Sequence, residues 1–295
     1  MTSYSLRLAI TYDFDRPIGA GRQLFRILPA DVAGVQTVRG AWVRLTPDPT
    51  DRSEFSDFFG TRVIEVAMPP GLTHLELMLE AVVDRVASEG FLDISPPLAR
   101  LSQELTAWRD IGPASPHHFR APSRRIPQMP DVAGFAQAAV AGCVTVQEVV
   151  QTFGEGLHHH MTFDAKATSV DTSPEDAFTL QRGVCQDFAQ IMVGGLRSLG
   201  VPAAYVAGYL RTDPPPGKAR LAGADAMHAW VRAWAGEEMG WIDYDPTNAC
   251  FARADHIDVG FGRDYGDVAP VTGMLRLDGS QHGSHQVDIA ELLLP

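Results

Sequence analysis

The chain has 295 residues, 45% of them apolar and 20% charged, with 27 Gly and 21 Pro, a globular composition that excludes disorder and small disulfide-stapled scaffolds. At roughly 100 to 200 residues per domain, two domains are expected. Residues 1–130 carry 14 Lys+Arg against 15 Asp+Glu, whereas residues 131–295 carry 10 against 21, and so acidic a half repels phosphate backbones and anionic headgroups, excluding nucleic acid and membrane surfaces as partners.

Met1-Thr2-Ser3-Tyr4-Ser5-Leu6-Arg7 lacks the basic and continuous apolar regions of a signal peptide. Leu6, Leu8, Ile10 and Tyr12 alternate with Ser5, Arg7, Ala9 and Thr11, and Leu75, Leu77 and Leu79 repeat the pattern beyond a Pro69-Pro70-Gly71 turn. Period-2 alternation predicts half-buried strands, and several short ones separated by Gly, Pro and Asp clusters predict a β-sandwich over residues 1–110. Residues 111–130 hold five prolines without periodicity and read as a linker. The stretch Val132 to Val146 is apolar but too short to span a bilayer.

From residue 131 to 295 the pattern changes. Val144 to Leu157 predicts a helix, and Ser173-Pro174-Glu175-Asp176 starts another that Gly183 stops. Phe188, Ala189, Met192, Val193, Leu196 and Leu199 form one apolar stripe ended by Gly200-Val201-Pro202, with Cys185 in the first turn. Ala203 to Leu210, Ala229 to Trp234 and Trp241 to Tyr244 predict strands, with an exposed loop over 211–227. Cys143, Cys185 and Cys250 are odd in number and widely spaced, which suits neither a disulfide framework nor a metal knuckle, so a soluble, reduced, cytoplasmic protein is expected.

A thiol attacks carbonyls as thiolate, and the partial positive charge of a helix N-terminus favours that form. Cys185 has that address. An imidazole must take the proton and return it to a leaving amine, and a carboxylate must orient the ring. His228 begins one strand and Asp245 ends the next, so antiparallel pairing makes them neighbours. Asp243, two residues earlier, is the competing carboxylate.

Arg182-Gly183-Val184-Cys185-Gln186-Asp187-Phe188-Ala189, Leu196-Arg197-Ser198-Leu199-Gly200-Val201-Pro202, Tyr205-Val206-Ala207-Gly208-Tyr209, Met227-His228-Ala229-Trp230 and Trp241 to Asn248 resemble the bacterial transglutaminase-like superfamily of cysteine enzymes. Gly262-Arg263-Asp264-Tyr265-Gly266-Asp267 is similar to the segment that follows the core in bacterial members, and the early β region to their N-terminal domain. The resemblance is specific between about 140 and 275 and general in 1–110. It implies an α+β fold, an N-terminal β-sandwich followed by a papain-like core of helices on an antiparallel sheet. It also implies Cys185 as nucleophile, His228 as general base and acid, and Asp245 as the orienting carboxylate. No tryptophan stands upstream near the nucleophile to help hold the oxyanion as in animal transglutaminases, since the nearest is Trp108. Nothing reads as their calcium sites, and no cofactor or metal is implied.

The expected activity is acyl transfer on amide or peptide bonds of a peptide or protein substrate through a Cys185 thioester, with hydrolysis favoured over transglutaminase-type cross-linking. The alternatives are an inert papain-like module binding a peptide or protein partner, and acyl transfer from a small thioester such as acetyl-CoA, disfavoured because no basic pocket is evident. Cys143 reads as core and Cys250 as structural. His158-His159-His160 reads as a helix end, because consecutive helical residues point about 100° apart and do not converge on one ion. Gln186 and Asp187 read as helix-start groups, and Arg263 and Asp264 either brace the site or form a surface pair.

Overall fold

The structure, a computed structural model, describes residues 1–86, 90, 92–212, 223 and 225–292. Most of the loop expected over 211–227 lies outside these residues.

The alternating segments form strands as their pattern requires. Thr2–Phe14 buries Leu6, Leu8 and Ile10 and exposes Arg7. Two four-stranded antiparallel sheets result. One runs in the order Gln281–Glu291, Thr2–Phe14, His74–Arg85, Gln36–Thr46, and the other Val271–Leu275, Gly21–Phe25, Arg62–Met68, Asp51–Ser56. Leu6, Leu8 and Leu79 of the first sheet share one core with Phe25, Ile64 and Val66 of the second, which is the expected sandwich.

Each sheet takes an edge strand from the far end of the chain. Gln281–Glu291 pairs with the first strand from Tyr4↔Glu291 to Phe14↔Gln281, and Val271–Leu275 pairs with Gly21–Phe25. These ladders cross the expected limits of 1–110 and 131–295. At the other limit, Leu98–Ala107 is a helix whose Leu101 and Leu105 join the helical core. Between 111 and 130, where a linker is expected, Pro116–Phe119 forms a 3₁₀ turn, and Phe119, Ile126 and Met129 are buried. Proline fixes backbone angles without preventing the apolar residues between from packing.

The second unit is a five-stranded antiparallel sheet in the order Cys250–Phe251, Trp241–Asp245, Ala226–Trp234, Ala203–Leu210, His256–Gly262. Helix Cys185–Ser198 lies on it, flanked by Pro130–Ala139, Val146–His160 and Pro174–Leu180. Its stripe of Phe188, Met192, Val193 and Leu196 meets Val201, Ala203, Tyr205 and Val231 in one buried cluster. The fold is therefore α+β, helices against an antiparallel sheet. Helix Pro174–Leu180 stops at Gln181, in the left-handed region at φ 54°, rather than at Gly183. Gly183 serves another purpose: a Cβ there would collide with the Asp187 carboxylate.

A buried polar seam joins the sandwich to the core sheet. Arg85 Nη1 donates to Asp258 Oδ2 at 2.5 Å, with both side chains 4% exposed, and Arg232 reaches the other oxygen of Asp258 at 3.0 Å. Gln36 adds a two-way bond with the Asp258 backbone at 2.8 and 2.9 Å. Among the described residues no helix is long and apolar enough to cross a membrane.

Candidate active site

Cys185 is the first residue of its helix, and Val184 before it is extended. Asp187 Oδ2 accepts the Val184 N–H at 2.8 Å and the Thr168 hydroxyl at 2.6 Å, so Asp187 is a helix-start group. Burial raises its carboxyl above the ordinary carboxylate range against the pull of those two bonds. Gln186 donates to Val170 O at 3.3 Å. The Asp187 and Phe188 N–H groups close back onto Val184 O at 2.9 and 3.2 Å, so the N–H groups of Cys185 and Gln186 are those of the first turn with no intrahelical acceptor.

His228 is the third residue of strand Ala226–Trp234, and Asp245 is the last of Trp241–Asp245. The two strands run antiparallel with Val231 opposite Tyr244, which brings the early part of one to the end of the other. His228 Nε2 lies 2.8 Å from Asp245 Oδ2. Cys185 lies near enough to the ring to raise its pKa, and both residues line one cavity; with Nε2 engaged by Asp245, Nδ1 is the ring nitrogen left to serve the thiol. Imidazole and carboxylate are thus bonded, and the sulfur shares their cavity wall with the ring. Asp243 takes no part, because both its oxygens bind the Arg232 guanidinium at 2.7 Å.

Asp245 is fully buried and richly partnered. Oδ1 accepts the backbone N–H groups of Thr247 at 2.9 Å and Asn248 at 3.2 Å, and Oδ2 accepts Asn248 Nδ2 at 2.7 Å. Burial opposes its ionisation, but His228 and His256 outweigh burial and hold the carboxyl well below the usual range. Burial likewise opposes a charged His228, yet the Asp245 hydrogen bond and the nearby charges of Cys185 and Asp245 prevail and lift the imidazole to about 10.

His256 is a member of this constellation that the sequence reading missed. It lies 3.1 Å from Asp245 Oδ2 through Nε2, and no spacing signal marks a single histidine at the start of a strand. The ligand atoms of His228, Asp245 and His256 lie within 4.8 Å of one another. Their present bonding is a hydrogen-bonded chain, with ring N–H groups aimed at the carboxylate, rather than an open set of lone pairs.

A cavity of about 260 Å³ opens onto this chain. Cys185, His228, Tyr205 and Met227 line it from the core, and Arg26 and Ile27 from the sandwich. Trp108 instead packs edge-on against Trp234, 5.5 Å between ring centres, in the helical core.

The remaining candidates have structural surroundings. The three cysteines are free. Cys143 packs against the helical core, and Cys250 pairs with Asp245 in register, its thiol pushed up to about 11 by burial and by the Asp245 charge. His158, His159 and His160 diverge, to Thr247 O at 2.9 Å, to Glu155 O at 2.6 Å and to the Phe178 ring respectively. Arg263 pairs with Asp267 at 2.9 Å, while Asp264 caps the short helix Tyr265–Val268 and accepts the Arg125 N–H at 2.9 Å.

Residues 133–246 match the model of the transglutaminase-like superfamily, and residues 4–84 that of the bacterial transglutaminase-like N-terminal region. An uncharacterized protein of Mycobacterium tuberculosis is 33% identical over 247 residues, 79% of this chain and 75% of the relative. A protein-glutamine gamma-glutamyltransferase of Pseudomonas aeruginosa is 37% identical over 87 residues, 29% of this chain and 13% of that one. The crystal structure of a candidate cysteine protease from Cytophaga hutchinsonii superposes with a TM-score of 0.75 at 21% identity, covering 100% of this chain and 92% of the other, a likeness of fold. The chain belongs to the transglutaminase-like superfamily.

Proposed function

We propose that this member of the transglutaminase-like superfamily is a cysteine-dependent acyl-transfer enzyme that acts on amide bonds of peptides or proteins. The observation that carries this reading is that Cys185 and His228 line one open cavity while His228 Nε2 lies 2.8 Å from the buried Asp245 carboxylate. His228 takes the thiol proton and the Cys185 thiolate attacks the substrate carbonyl, forming the S–C bond. The Cys185 and Gln186 N–H groups, which have no intrahelical acceptor, are the donors offered to the oxygen on which negative charge develops. The imidazolium then protonates the departing amine as the C–N bond breaks. Water, deprotonated by His228, attacks the thioester, releasing the carboxylic acid and returning the thiol.

Hydrolysis is the favoured outcome. Amine acceptance in place of water is the second reading, and it is favoured by the similarity of residues to a named protein-glutamine gamma-glutamyltransferase. The three free cysteines fit a cytoplasmic setting, which fractionation of the source cells tests.

The experiment is labelling with a thiol-directed peptide-amide probe, followed by peptide-amide turnover with and without a primary amine. Wild type is expected to label and Cys185→Ala is not. Equal labelling of the two proteins removes the reading. Acid release that added amine leaves unchanged identifies the hydrolase, and an amine adduct identifies the transferase.

A further inference from the structure

Asp245 Oδ2 receives two histidines, and the second has a fixed role. The backbone N–H of Arg253 points at His256 Nδ1 at 3.3 Å, which requires a lone pair on that nitrogen. The ring proton therefore sits on Nε2, which donates to Asp245 Oδ2 at 3.1 Å. The Trp230 ring stands edge-on to His256 at 5.2 Å, and His256 is 5% exposed, so the ring has little freedom to turn away. Its register partner on the neighbouring strand is Leu210, which is apolar. The titratable groups around it are Asp245 in direct contact, His228 with ring centres 6.1 Å apart, and Cys250 beside Asp245. Arg253 contacts it through the backbone.

We propose that His256 is a positioning residue for the reaction: as a neutral donor it fixes the Asp245 carboxylate and limits how tightly that carboxylate holds the His228 imidazolium. The proposal rests on the acyl-transfer reading above. A carboxylate oxygen that already accepts an N–H is a weaker base toward its next partner. Without His256, Asp245 pulls harder on the His228 proton, and the ring surrenders it less readily to a leaving amine. The carboxylate also loses one of the bonds that set its angle.

The test compares His256→Gln, whose amide reaches the Nε2 position and keeps a donor, with His256→Phe, which keeps the ring and loses the donor, and with His256→Asn, whose shorter amide does not reach. A hydrogen bond to a charged group corresponds to about a 10- to 100-fold effect. His256→Phe and His256→Asn are expected to lower kcat on a peptide amide by that factor with KM within about twofold, and to move the alkaline limb of kcat/KM upward by about half a pH unit. His256→Gln is expected to stay within about threefold of wild type. Imidazole NMR of the full chain follows His228 independently of turnover, and its titration is expected to rise in His256→Phe and not in His256→Gln. Equal losses in His256→Gln and His256→Asn, or a His228 titration unmoved in every folded variant, overturn the proposal. Failure of the acyl-transfer reading shows differently, as Cys185→Ala matching wild type in labelling while the NMR shift persists.

Discussion

The carboxylate of Asp245 is wholly buried yet accepts His228 Nε2 at 2.8 Å, so the ring's orientation depends on a group that water never reaches. Asp245→Asn keeps the shape but offers an N–H or a carbonyl where two imidazoles need an anion. In triads of this kind the loss is on the order of 10⁴-fold in kcat, and a decrease of about 10³-fold or more in peptide-amide turnover is expected here. A native circular dichroism spectrum of the variant with near wild-type turnover would contradict the arrangement.

Stability carries the same signature. His228 is raised from 6.5 to about 10 on folding, so its contribution is fully present below the unfolded value and disappears as pH rises through the folded one. Unfolding free energy from denaturant titration is expected to decline from about pH 6.5 to about pH 10, and His228→Gln to flatten that arm. Asp245, depressed on folding, contributes above its unfolded value and loses that contribution in acid. An alkaline arm of the same slope in His228→Gln would refute the assignment.

Gly208 faces His228 across the ladder between Ala203–Leu210 and Ala226–Trp234. A methyl group there runs into the Ile257 carbonyl and the Trp230 ring, and a backbone carbonyl cannot swing aside. Gly208→Ala is expected to cost about 1–3 kcal/mol and to lower turnover more than the stability loss alone explains, because Trp230 also packs on His256. Denaturation curves and initial rates on the same preparation check both halves.

Arg85 and Asp258 meet at 2.5 Å where sandwich and core sheet touch. Removing one member of a buried pair strands the other, and Arg85→Leu is expected to destabilise by about 3 kcal/mol, read in guanidinium. Arg232 remains bonded to Asp258, so the double variant Arg85→Leu/Asp258→Leu, which removes both buried charges of the pair, should recover part of that loss only if Arg232 keeps its Asp243 partner.

What the sequence made legible was local or nearly so. The alternation at Leu6, Leu8 and Ile10, the stripe at Phe188, Met192 and Leu196, and the expectation that neighbouring antiparallel strands bring His228 to Asp245 all depend on short separations. Sequence alone left Asp243 and Asp245 as rivals; Arg232, on the paired strand, occupies Asp243. Helix Leu98–Ala107 went unread because its buried residues, Leu101 and Leu105, sit between proline-rich flanks. His256 was illegible for another reason: its value lies in Arg253 and Asp245 meeting its two ring nitrogens, a relation of tertiary geometry and not of spacing.

The pairing of Thr2–Phe14 with Gln281–Glu291 has a consequence in time. A ribosome emits Gln281–Glu291 long after Thr2–Phe14, so for that interval one ladder of the nascent sandwich offers bare N–H and C=O groups to passing chains. Removing residues 281–291 makes that interval permanent, leaving a sheet whose missing border invites other molecules to supply it.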